Sequence, residues 1–253
     1  VKNTLDTLNK IEPKFSFRFN PHDMKDNKEQ NRRLDVDNVF NNNRLALSDT
    51  YEGGESVTLG LNFTKDKINT KDKIDEFDRY LDLKLATVFR FNEEKNIPTT
   101  STLNKKRSNV FGKFGFTPSK NFSIDYNFSV TNDLNELEYN SIVTSGNYKN
   151  FTTEFEYFKE GGIIGDANMI ENISSYNFNE ENSISFKTRK DLKRNLTEYY
   201  DILYEYKNDC LVASLKYKKN YYSDADIKPL EELFFSITII PLTTFSPDKL
   251  ISK

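Results

Sequence analysis

A chain of 253 residues with a formal net charge of −3, one histidine, one cysteine and no tryptophan can bury a sizeable core. Its near-balanced charge offers no basic surface for nucleic acid. Mean hydropathy is −0.73, and the most apolar stretch, LFFSITIIPL at 233–242, falls far short of the roughly 20 residues a membrane-spanning helix needs, so a helical membrane protein is excluded.

The opening VKNTLDTLNKIEPK has no basic region followed by an apolar one. No secretion signal is expected in it, and the chain should be either cytoplasmic or missing its true start.

From there period 2 dominates. The pattern begins in ESVTLGLNF (55–63) and is clearest in YLDLKLATVFRF (80–91), where Leu81, Leu83, Leu85, Phe89 and Phe91 share one face, with Asp82, Lys84 and Arg90 on the other. NVFGKFGF (109–116) repeats it. In KNFSIDYNFSV (120–130), Phe122, Ile124, Tyr126, Phe128 and Val130 oppose Ser123, Asp125, Asn127 and Ser129. NFTTEFEYF (150–158), ENSISFKTR (181–189), TEYYDILYEYK (197–207), CLVASLKYKK (210–219) and LFFSITII (233–240) follow in turn. Polar turns such as TPSK, NEEN and KND separate them, as hairpins require.

The count is about ten to twelve strands in up-and-down order, with no long amphipathic helix and no Pro/Gly-rich linker. Strands of about 9 to 11 residues with one apolar and one charged face suit a transmembrane β-barrel around a wet lumen. Soluble sandwich strands are usually nearer 5 or 6 residues. Longer polar segments at 92–109 and 159–172 alternate with tight turns, as in outer-membrane barrels. Another outer-membrane barrel, a porin or receptor, shares this alternation. A soluble β-rich surface binding protein, with the apolar face as core, remains a third reading.

Little in the chain carries chemistry. His22 would have to serve any histidine-dependent catalysis, but NPHDMKD reads as a polar loop. DVDN (35–38) lacks the glycine and late glutamate of a calcium loop and reads as a surface turn. The glycines of YEGGES and KEGGII precede strands, where they permit unusual backbone angles; no helix follows to make a phosphate loop. Glu154 and Glu156 share one strand face about 7 Å apart and read as solvated wall. The expectation is a protein that is not an enzyme, with no metal and no cofactor.

The segment NNRLALSDTYEGGESVTLGLNF (42–63), through Asn43, Arg44, Asp49, Glu52, Gly53 and Gly54, resembles the LPS-assembly protein LptD family, in which Asn-Arg, an Asp and Glu-Gly-Gly lead into a barrel strand. IEPKFSFRFNP (11–21) is similar to the strand before it, and 204–242 to the last two strands and their loop. The resemblance implies that residues 1–245 are the C-terminal half of a large outer-membrane barrel and 246–253 a short tail. It implies lipopolysaccharide as cargo, passed through the lumen and a lateral gate, with an LptE-like lipoprotein in the lumen and an LptA-type bridge reached through an absent N-terminal part. Localisation would be the outer-membrane bilayer of a Gram-negative bacterium. On this reading the last strand, with Leu233, Phe235, Ile237 and Ile239 facing lipid and Pro241 ending its ladder, is one gate wall. The family carries cysteines near Cys210 that bridge to the N-terminal domain. Here Asp209 and Cys210 stand at that place, so Cys210 is a disulfide candidate whose partner lies outside the chain.

Overall fold

The computed structural model describes residues 6–48, 50–69, 76–221, 230–239, 243–245 and 251–252. They form β1 (Asp6–Asn20), β2 (Gly54–Asn69), β3 (Glu76–Arg90), β4 (Val110–Ser119), β5 (Phe122–Val130), β6 (Leu137–Tyr148), β7 (Phe151–Glu160), β8 (Asn168–Asn177), β9 (Asn182–Asp191), β10 (Leu196–Lys207), β11 (Leu211–Asn220) and β12 (Leu230–Ile239). The one helical element among the described residues is a single 3-10 turn at Thr99–Ser101. The chain divides into two compact units, Val1–Ile142 with Lys159–Asp166, and Val143–Phe158 with Ala167–Lys253.

In the first unit β1 to β5 pair antiparallel in chain order, the up-and-down arrangement that alternation and short turns dictate. The register aligns side chains in rows. Phe17, Val57 and Phe89 make one row, and Leu83, Phe114 and Tyr126 another. Their face leaves Ile11, Phe15, Phe17, Phe19, Leu59, Leu61, Phe89 and Phe114 exposed. An apolar surface this continuous is what lipid contact requires and what water disfavours.

The opposite parity departs from the wet wall that the alternation predicts. Connections 21–53 and 91–109 fold back over it, and Met24, Leu34, Val36, Val39, Leu45 and Leu47 from the first, with Ile97 and Leu103 from the second, pack on Ala86, Val88 and Phe111. Segment 92–109 is therefore a core-forming connection. DVDN is only partly a surface turn, because Val36 is buried within it. The reason lies in β3 and β4, where Ala86, Val88 and Phe111 interrupt a polar row with apolar side chains, and burying them is favourable by about 25 cal/mol per Å².

Two close approaches fix the packing. A Cβ on Gly60 would stand 2.7 Å from Cζ of Phe40, which fills that slot. A Cβ on Gly112 would stand 2.0 Å from the Phe128 ring on the apolar face.

In the second unit β8 to β12 pair antiparallel in chain order through the connections 178–181, 192–195, 208–210 and 221–229. Ile184, Ile202, Tyr204 and Leu215 are exposed on one face. On the other, Lys187 meets Glu171 at 3.1 Å, Lys216 meets Asp201 at 3.3 Å, and Tyr199 donates to Glu171 at 2.6 Å. β8 begins at Asn168, so the connection read at 159–172 shrinks to 161–167.

Candidate functional site

The row Arg18, Ser56 and Arg90, one residue from each of β1, β2 and β3, builds the site. Above it turns the segment 41–53. Asn43 shapes that turn: its Nδ2 donates to the Leu47 carbonyl at 2.9 Å and its Oδ1 accepts from the Leu47 amide at 3.1 Å. The turn thereby aims Arg44 down at the strands.

Arg44 is fully buried and its fork is shared. Nε donates to Oε2 of Glu52 at 2.7 Å and Nη2 to Oε1 at 2.5 Å, while Nη1 reaches Oγ1 of Thr58 at 2.9 Å and Nη2 reaches Oγ of Ser56 at 3.0 Å. From the end of β3, Nη1 of Arg90 donates to the same Oε1 of Glu52 at 2.6 Å, and its Nη2 donates to the Gly53 carbonyl. Arg18 stands 4.0 Å from Glu52 and donates through Nη1 and Nη2 to the carbonyls of Asn42 and Asn41 at 2.6 and 2.8 Å. Three guanidiniums thus converge on one buried carboxylate, with bidentate geometry supplied by Arg44.

The glycines explain themselves against this cluster. Gly54 has φ +80°, and a Cβ there would stand 2.8 Å from Nη2 of Arg90. Gly53 passes the His22 carbonyl, 3.2 Å from where its own Cβ would be. Gly54 favours a residue without a side chain on both counts, and Gly53 leaves a tight fit for one.

Burial alone would push the Glu52 carboxyl up. The hydrogen bonds from Arg44 and the charges of Arg44, Arg90 and Arg18 outweigh it and hold Glu52 below the ordinary carboxylate range. A second tie lies at Asp37, which takes Lys84 at 2.7 Å and Lys113 at 3.4 Å. These two lysines are cross-strand neighbours, so Asp37 separates like charges that would otherwise repel. Burial raises its carboxyl, and the two lysines outweigh that and bring it below its usual value. Two further ties join Arg33 to Glu160 at 2.9 Å and Asn109 to Glu138 at 2.6 Å.

Of the residues singled out from sequence, Asn43, Arg44, Glu52, Gly53 and Gly54 come together here, while Asp49 lies outside the described residues. Arg18, Ser56, Thr58 and Arg90 complete the cluster and were not singled out as a site, although alternation already placed Arg90 on the polar face. His22 is exposed and donates its backbone amide to Asn20 Oδ1 at 3.1 Å. Glu154 is exposed and accepts from Ser145 at 3.3 Å. Leu233, Phe235 and Ile237 are half-buried on β12 and Ile239 is exposed, while Pro241 lies outside the described residues. Among the described residues, Thr243–Phe245 and Ile251–Ser252 pair with β12. Cys210 is a free, exposed thiol in the turn before β11. No His, Cys, Asp or Glu grouping among the described residues could hold a metal.

Two-faced antiparallel strands in up-and-down order, in a sheet that is not closed, are those of a segment of an up-and-down β-barrel. The family model LptD, LPS transport system D, matches residues 3–168. The chain belongs to that family, whose members are outer-membrane proteins of Gram-negative bacteria acting in lipopolysaccharide transport. No curated protein matches it.

Proposed function

We propose that this chain forms part of a barrel that inserts lipopolysaccharide into the outer leaflet of the outer membrane. Residues 1–245 belong to the C-terminal portion of that barrel, and 246–253 follow as a short tail. The observation that supports this best is the family match at 3–168 over strands with a continuous exposed apolar face. An LptE-like lipoprotein occupies the lumen on this reading, and an LptA-type bridge delivers cargo through a part of the protein outside this chain.

β12 is one wall of the lateral exit, with Leu233, Phe235, Ile237 and Ile239 toward lipid; Pro241, two residues on in sequence, has no amide hydrogen with which to extend a ladder. Cys210 pairs in the oxidising periplasm with a cysteine elsewhere in the full protein. Its exposure in a turn leaves it accessible for that.

The test is photo-crosslinking in living cells from a probe amino acid at Phe235 or at Ile237, with Leu61 as a lipid-facing control remote in sequence. Lipopolysaccharide adducts at both β12 positions, several-fold above the control, are expected. Equal labelling at all three would sink the gate assignment. Free reaction of Cys210 with a thiol reagent in the assembled protein would sink the disulfide.

A further inference from the structure

Beside the cluster lies an open cavity of about 320 Å³. Arg18, Asn42, Arg44 and the carboxylate-bearing Glu52 form its polar side, and Phe19 and Tyr51 its rim. Phe19 belongs to the apolar parity and is exposed, and Tyr51 is 77% exposed. The cavity thus meets the apolar face of the strands on one side and a charge cluster on the other.

The charges there are unequal. Arg18, Arg44 and Arg90 converge, and among the described residues Glu52 is the one carboxylate hydrogen-bonded to Arg44 and Arg90, 4.0 Å from Arg18; Glu94 acts on Arg90 only through space. Glu52 turns both oxygens into the arginines and its side chain is 4% exposed, so it does not confront an arriving anion. Arg44 is fully enclosed, whereas the Arg18 side chain keeps 18% of its surface open. Two Arg18 hydrogen bonds go to neutral backbone carbonyls, leaving its charge only partly answered.

A partly desolvated guanidinium with excess positive charge behind it favours an oxyanion, which it can meet through a two-pronged fork. We infer that this cavity is a phosphate-binding site centred on Arg18, taking the phosphate of a glycolipid headgroup or a free phosphate ion. The aromatic rim favours an amphiphile, because Phe19 and Tyr51 offer apolar contact next to the charge. The lipid source deepens the transport reading and rests on it. The phosphate site itself does not, so the two can fail separately.

The test uses the full-length protein in a phosphate-free detergent, with three probes: inorganic phosphate, a diphosphorylated glycolipid, and the same lipid after enzymatic dephosphorylation. Binding is read by calorimetry and by phosphorus NMR line broadening. Arg18→Gln should weaken binding about tenfold or more. Asn42→Asp, at an exposed position whose backbone carbonyl still accepts from Arg18, should weaken it similarly by repulsion. Arg18→Lys should restore part of it as a point charge without the fork. Trypsin protection of 21–53 reports whether each variant keeps its docked segment.

Binding of the phosphorylated lipid but not its dephosphorylated form, lost in both variants with protection intact, supports the site with a lipid source. Binding of inorganic phosphate alone, lost in the same variants, supports the site with a free ion as ligand. Binding that survives both variants, or absence of binding by every probe, overturns the proposal.

Discussion

In the first unit the polar parity of the strands carries Ser56, Thr58, Ala86, Val88, Phe111 and Ser129, all buried; in the second it carries Glu171, Lys187, Arg189, Asp201 and Lys216, all partly open. The strands themselves follow the same alternating pattern and make the same antiparallel ladders. What differs is the chain between them. Turns such as 192–195 and 208–210 only reverse direction, so in the second unit charged side chains satisfy one another laterally. Connections 21–53 and 91–109 are long enough to cover the face, and three apolar side chains there give them something to cover. The polar parity of a barrel strand is therefore not committed to water; its connections decide.

The sharpest break in this comparison is Arg44→Ala. It leaves the Glu52 carboxylate buried with Arg90 as its close partner and strands Ser56 and Thr58, and removing one member of a buried pair costs about 3–5 kcal/mol. Urea titration of the full-length protein in detergent, with trypsin digestion of 21–53 as readout, should show the segment released while strand content by circular dichroism persists. The matching change in the second unit, Lys216→Ala, removes a 3.3 Å pair on a half-open face and should cost no more than about 1 kcal/mol. Similar costs for the two would end the distinction between a docked and an open face.

Next in size is the acid response of the docked segment. Glu52 titrates below an ordinary carboxylate because its arginines outweigh its burial. Its contribution is complete above the unfolded carboxylate value of about 4.3 and is lost as pH falls through the lower folded value, where the native state must take up a proton. Protection of 21–53 should hold at neutral pH and fail in strong acid. Glu52→Gln, which leaves the arginines without their carboxylate, should weaken protection at neutral pH and flatten this acid limb. An unchanged acid limb in the variant would show that another carboxylate controls release.

How much of this was legible in sequence follows from what each signal measures. Alternation reports side-chain parity, so β2 to β5, β7 and β9 to β12 could be read directly, whereas β1 was read only through the family resemblance and β6 and β8 were not read as strands. It reports nothing about what lies over a face, so 92–109 read as a polar loop although Ile97 and Leu103 are fully buried. Ala86 and Val88, apolar on a polar row, were the available clue. The cluster was half legible: Asn43, Arg44, Glu52, Gly53 and Gly54 are near one another in the chain, whereas Arg18 and Arg90 join only through the register Arg18–Ser56–Arg90. A register across three strands is a tertiary fact that no local window contains.

A packing change should have a smaller effect than either charge change. In Gly60→Ala the new methyl would meet the Phe40 ring at 2.7 Å, and overfilling a packed slot costs about 1–3 kcal/mol. Because the obstruction is one side chain, Phe40→Ala in the same chain should recover part of the loss, giving a non-additive double-mutant cycle. Additive losses would mean that the strand backbone, and not Phe40, resists the methyl.

The smallest effect is expected at Asp37. It meets two cross-strand lysines at 2.7 and 3.4 Å, yet half of its side chain faces solvent. Exposed pairs contribute about 0–1 kcal/mol, and at 1 M salt the Debye length shrinks to about 3 Å. Asp37→Asn should therefore lower the urea midpoint slightly at low salt and by less at high salt, because salt also screens the repulsion left between Lys84 and Lys113. Arg44→Ala should keep its full cost in the same salt series, since its partners are enclosed. The two salt responses separate a lock closed by burial from one closed by surface charge.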